Sequence, residues 1–198
     1  MPPGVPIPIS DMRALAVIVV VVTAAVASGS AATAASGTGP SARPLTSLEL
    51  QVLRELNRVR AARGLAPVRS SRGLHSSAAK HSEEMLALGF FSHASADGTG
   101  FSERIRRHYT DRGWKAWSVG ETLLLSGSGR IDARAIVSTW IASTPHRRII
   151  MSPGWQDAGI AARYRPDAPG YFGGAEATVV TADFGYRAGR HPRTRATP

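Results

Sequence analysis

Three short segments carry side chains suited to metal binding or proton transfer. His93 closes Phe91-Ser92-His93, and Glu121 sits inside Gly120-Glu121-Thr122. His146 lies in Trp140-Ile141-Ala142-Ser143-Thr144-Pro145-His146-Arg147. Two imidazoles and one carboxylate are enough to hold a divalent ion with a position left open for water. A carboxylate beside such an ion could take a proton from that water. The three residues stand far apart in the chain, and no His-Glu-x-x-His pair sets two donors on one helix face. Spacing alone therefore leaves their convergence open.

Other patterns fail. Ser77-Ala78-Ala79-Lys80 fits Ser-x-x-Lys, but its Ser-Asp-Asn and Lys-Thr-Gly companions are missing. Gly98-Thr99-Gly100 lacks the third glycine of a dinucleotide loop, and there is no nucleophile elbow or phosphate loop. His75, His81, His108 and His191 read as surface or packing residues, with His81 nearest an inner helix face. Trp114 and Trp117 read as core or cavity wall; a carbohydrate-stacking platform is the alternative.

Local signals place the elements that must position these residues. Thr46 and Glu49 form a capping box, and Leu48, Val52, Leu56 and Val59 recur at helical spacing behind it. Gly64 ends that helix, and Pro67 blocks its continuation. A second helix is expected from Ser71 to Leu88, stopped by Gly89, and a short one over Phe101 to Tyr109. Asp132 opens a further helix with Ala135, Ile136, Thr139 and Trp140 inward. Thr144 suits an N-cap and Pro145 a first helical position, which puts His146 in a first turn. Ala158–Tyr164 and Ala177–Phe184 read as strands joined through the Gly- and Pro-containing segment Asp167–Gly174. Helices followed by hairpin-connected strands give an α+β layered domain.

The chain has 198 residues, which fits one domain plus an export segment. Ala14–Ala27 is an uncharged apolar run behind Arg13, with small residues after it, the build of a signal peptide. It is shorter than the ~20 residues a bilayer span needs. Residues 1–34 are read as that signal peptide, 35–44 as a flexible linker, 45–187 as the domain and 188–198 as a disordered basic tail. A secreted product is expected; the alternative is a membrane anchor formed by the uncleaved segment. With no cysteine, no disulfide is available and the core alone must hold the exported fold.

The formal charge is +10, almost wholly from arginine; Lys80 and Lys115 are the only lysines. Such a domain is drawn to anionic envelope polymers by long-range attraction. No zinc-finger, RNA-binding aromatic or heptad-linked basic pattern supports specific nucleic-acid binding.

In order and frame the three segments resemble those of the bacterial, secreted branch of the CAP superfamily. That superfamily comprises cysteine-rich secretory proteins, antigen 5 and pathogenesis-related 1. Its segments read Phe-Ser-His, Gly-Glu-Asn and Trp-x-x-Ser-Pro-Gly-His-Arg. Arg58–Leu65 is similar to the end of its first helix, and Gly159 and Phe184-Gly185 to its late strands. The resemblance implies a three-layer α-β-α sandwich and a cavity lined by His93, Glu121 and His146. It implies that His93 and His146 could hold zinc. Glu121 falls on the first of the family's two glutamates, and the second has no match here. Thr122 replaces the usual asparagine, which trades an amide for one rotatable hydroxyl donor. Three functions are weighed: a monomeric extracellular binding module for a divalent metal or small ligand, with the envelope as partner; a zinc-assisted hydrolase of peptide or wall polymer; or a structural wall component with an inert cavity. In the second, Glu121 would be the general base.

Overall fold

The computed structural model describes residues 46–127 and 131–190. The expected signal peptide, the linker, His191 and the rest of the tail beyond it lie outside the described residues. Among the described residues no helix is long and apolar enough to cross a membrane.

Helix α1 spans Ser47–Ala61. Its capping box forms as read: the Glu49 N–H donates to the Thr46 hydroxyl, and the Thr46 N–H to the Glu49 carboxylate. Past its end, Asn57 holds Val68 through both backbone groups. Arg60, fully buried, donates to the carbonyls of Ala66, Ile150 and Ser152 at 3.0, 2.6 and 3.0 Å. Helix α2 is Arg72–Leu88, capped by the Ser71 hydroxyl and closed by Gly89 in the left-handed region. Gly89 serves there because a Cβ at φ +73° would be strained and would strike Pro169 and Gly170. Helix α3 is Phe101–Arg106 and α4 is Ala133–Ala142, capped by Asp132. Helix α4 buries Ala133, Ile136, Val137 and Trp140, so its inner face is turned slightly from the expected one. Helix α5 is Thr144–Ile150, with Ser143 rather than Thr144 as N-cap.

Strands β1 (Arg69–Ser70), β2 (Trp114–Ser126), β3 (Asp157–Arg165) and β4 (Ala177–Arg190) form one sheet in the order β1-β3-β4-β2. β1 runs parallel to β3; the other pairs are antiparallel. Val180, Ala182 and Phe184 of β4 pack with Val52, Leu56, Ile136 and Trp140 on the α1/α4 side. The alternate residue Val179 packs with Met85, Leu86 and Leu123 on the α2 side. The result is the expected α-β-α layering. Gly159 lets α2 lie on the sheet, because a Cβ there would run into the backbone of Leu74 and His75. β4 runs three residues past the expected domain end at 187, since Ala188 and Arg190 pair with Ala116 and Trp114.

Glu49 is 1% exposed and does more than cap. Its Oε1 accepts from the Ala162 N–H at 3.0 Å and from Arg163 at 2.9 Å, while Oε2 faces His75 at 3.5 Å. Burial pushes its pKa up, but the adjacent His75 ring and the hydrogen bonds from Thr46 and Ala162 outweigh this and hold it at about 2. A folded pKa below the unfolded one gives stability that is present above about pH 4.5 and lost as pH falls toward 2. At ~1.4 kcal/mol per pKa unit, Glu49→Gln should cost about 3 kcal/mol at neutral pH and flatten the acid limb of the stability curve. Urea unfolding across that range checks this; an equally steep acid limb in the variant would sink it.

Candidate functional site

Glu121 lies on β2, directly opposite Asp183 of β4, on the face that meets α2. Its strand register fixes its direction, and burial leaves it 2% exposed. Both carboxylate oxygens are taken. Oε1 accepts from His93 Nδ1 at 2.7 Å, and Oε2 accepts from the guanidinium of Arg104 on α3. Burial pushes the Glu121 pKa up, but the His93 hydrogen bond and the Arg104 charge prevail and lower it. The ionised carboxylate makes Nδ1 the protonated ring nitrogen of His93. Nε2 has no partner among the described residues, and the side chain is 42% exposed. Phe101 packs edge-on against the ring.

The loop carrying His93 is held from two sides. Arg104 also donates to the His93 carbonyl at 3.0 Å and to the Ser95 hydroxyl at 3.2 Å. His81, fully buried on α2, bonds the Ser92 carbonyl through Nε2 at 2.8 Å. Burial depresses the His81 pKa, and with it the charged form, against the opposing pull of Glu121. Glu84 accepts the Ala96 N–H at 3.0 Å and stands 3.4 Å from His81 Nδ1. His81 is therefore a strut beneath the site. Arg104 was missed in the sequence because it sits among Arg106 and Arg107, as a surface arginine would. The available signal was its place one residue before the buried Ile105.

His146 occupies the first turn of α5 and is half-buried. Burial, and then the charge of His93, lower its pKa, so it lies within electrostatic reach of His93. No hydrogen bond or ion pair engages it among the described residues. Its neutral ring is the form that a metal or a hydrogen-bonded ligand would use.

Behind Glu121 the site is polar but unsatisfied. Asp183 is fully buried with neither carboxylate oxygen hydrogen-bonded; the Ser77 hydroxyl and Arg104 Nε are likewise without partners. Burial, then the Glu121 charge, push the Asp183 pKa well above the usual carboxylate range. The Thr122 hydroxyl, where an amide was the family expectation, is also buried without a partner. Ser77 is buried while Lys80 is exposed, so the Ser-x-x-Lys pattern presents no nucleophile and base to each other.

Among the described residues, no three His, Cys, Asp or Glu side chains are grouped so that they could hold a metal ion. Glu121 is spent on His93 and Arg104, which leaves His93 Nε2 and His146 as donors. Two donors alone do not make a protein metal centre, which needs at least three. A carboxylate paired with a guanidinium and bonded to an imidazole orients that imidazole, and its lowered pKa makes it a weaker base.

The sequence matches the family described as cysteine-rich secretory protein (CAP) over residues 53–184. The comparison with curated proteins found no match. Among solved structures, an outer surface protein of Borrelia burgdorferi is similar, with TM-score 0.56 and 17% identity, over 69% of this chain and 90% of that one. An extracellular protein of Bacillus anthracis containing an SCP domain gives TM-score 0.52 and 20% identity, over 72% of this chain and 44% of that one. At these identities the neighbours establish the fold alone. With the family match spanning most of the folded part, the chain belongs to the CAP, or cysteine-rich secretory protein, family.

Proposed function

We propose that this chain works outside the cell as a binding module, with His93 and His146 as the contact groups of its cavity. The observation that carries this reading is the state of Glu121. Its oxygens accept from His93 and Arg104 and its pKa is lowered, so it is a weak base suited to orienting His93 toward a ligand. That favours binding over hydrolysis. The extracellular location is supported by the apolar N-terminal run, by the family and by the surface or extracellular origin of the neighbours named above. The expected ligand is a divalent ion shared with water or a small acceptor molecule, and the envelope is the expected partner.

Zinc is the probe that tests the cavity. The melting temperature of the wild type should rise with added zinc, by the equivalent of about 2.7 kcal/mol at a hundredfold excess over Kd. His93→Ala and His146→Ala should each abolish the rise. His75→Ala should lower the starting stability, because His75 faces Glu49, yet keep the rise. No rise in the wild type, or a rise retained by His93→Ala, would overturn the two-histidine reading.

A further inference from the structure

The sheet does not end flush. β3 pairs with β4 only as far as Gly185, opposite Asp157, while β2 and β4 continue together to Trp114 and Arg190. Residues 114–118 and 186–190 therefore form a two-stranded ribbon beyond the third strand, about 16 Å long at ~3.3 Å per residue.

Its aromatic side chains carry arginines. Arg190 lies over the Trp114 ring at 4.4 Å, and Arg187 lies over Tyr109 at 3.5 Å and Trp114 at 5.3 Å. Arg106 lies over Trp117 at 4.8 Å. Stacking fixes a guanidinium plane and lowers the entropy lost when its fork of donors meets an anion. The turn before β2 is tied to the same cluster, since Arg187 donates to the Thr110 carbonyl at 3.2 Å. That turn brings the exposed Arg112, and Lys115 follows on the ribbon.

The nearby carboxylates are already used. Asp111 pairs with Arg106 at 3.3 Å, and Asp157 takes Arg69 and the Tyr109 hydroxyl. Among the described residues, Arg112, Lys115 and Arg190 have no ion pair. Three exposed cations thus lie on the ribbon and the turn before it, with Arg190 on the Trp114 face and Lys115 on the other.

We infer that this ribbon is a binding strip for a linear, phosphate-bearing polyanion without bases, such as a phosphodiester polymer of the envelope. It rests on the envelope part of the proposed function and not on the cavity. Arginine forks match phosphate oxygens, and a narrow ribbon with cations on both faces suits a flexible chain with repeated charges lying across it. The same features argue against a bilayer. The exposed large apolar residues, Leu50, Leu88, Tyr164 and Tyr171, all lie off the ribbon, so it has no anchor to bury. They also argue against single-stranded nucleic acid, because arginines already lie over the Trp114 and Trp117 rings that bases would stack on.

Long-chain inorganic polyphosphate is the probe, with the full chain as the protein. Arg112→Ala/Lys115→Ala/Arg190→Ala should weaken binding at least about tenfold at low salt and reduce the log–log salt slope by about 2, given ~0.7 per neutralised phosphate on a flexible strand. Arg54→Ala/Arg63→Ala/Arg134→Ala removes the same charge from exposed positions elsewhere and should change affinity less than about threefold. Circular dichroism melts confirm that both variants are folded. Equal losses in the two variants would reduce the effect to net charge and overturn the proposal. So would ribbon-dependent binding to vesicles of phosphatidylglycerol, or to an oligonucleotide, that exceeds binding to polyphosphate. His93→Ala and His146→Ala should leave polyphosphate binding unchanged, so failure of the cavity and failure of the ribbon are read separately.

Discussion

Arg60→Ala should destabilise the domain by on the order of 4 kcal/mol, as three charge-assisted hydrogen bonds of ~1.5–3 kcal/mol each are lost, offset in part by the guanidinium desolvation they no longer have to overcome. The guanidinium is wholly buried and has no carboxylate partner among the described residues; three carbonyls hold it instead. Burial lowers its pKa. Removing the side chain leaves the carbonyls of Ala66, Ile150 and Ser152 without that donor and opens a void beneath α1. Arg60→Met fills most of the void and restores no donor, so it should recover only the packing part, about half of the loss. Arg60→Lys offers a point charge in place of a planar fork and should fall between wild type and methionine. Urea denaturation of the series checks this. Equal stability of the methionine variant and wild type would mean that the carbonyls do not depend on the arginine.

Asp183→Asn is expected to act in the opposite direction and stabilise the domain at neutral pH. Asp183 faces Glu121 from β2, Ser77 from α2 and Arg104 from α3, with His81 lying beyond Ser77 on α2; Gly159 on β3 offers it nothing. Burial and the Glu121 charge raise its pKa in the folded state. The unfolded chain releases the Asp183 proton above about pH 4. A folded pKa above the unfolded one means a contribution fully present below that point and lost as pH rises, by up to ~1.4 kcal/mol per pH unit. Asparagine keeps the shape and cannot ionise, so the decline should vanish from its stability curve. The gain over wild type should be negligible near pH 4 and largest at neutral pH. Parallel curves for the two proteins across that interval would exclude Asp183 as the source. The Glu49 effect lies on the acid side of this window, so the two do not mask each other.

What was legible in the sequence was local. Thr46 with Glu49, Ser71, Gly89 and Asp132 mark their helix ends by hydrogen bonds or backbone conformations that span only a few residues. β3 followed from a weakly alternating run and β4 from a β-branched, apolar one, with turn residues between them. β2 did not, because its two halves obey different rules. Gly120–Leu124 is buried on both faces and shows no alternation, while Trp114–Ser118 lies on the projecting ribbon. In the site, His93 bonds Glu121. The partners that decide their chemistry, Arg104 and Asp183, were not legible. Arg104 reaches Glu121 across 17 residues through the docking of α3. Asp183 shares the inward parity of Val179 and Thr181, so a carboxylate in that run was the available signal. The expectation that the core alone holds the fold also needs amending, since buried Arg60 and Glu49 join distant segments by polar ties.

Those ties have a consequence for how the chain matures. The bond from Arg60 to the Ile150 carbonyl joins positions 90 residues apart, a span that a secreted domain often closes with a disulfide. A disulfide shrinks the denatured ensemble, needs an oxidant, and can form between the wrong partners. A guanidinium resting on carbonyls does none of these. It closes only when both segments are already in place, and it leaves the denatured chain unconstrained. With no cysteine in the chain, its folding should therefore be indifferent to thiol reductants.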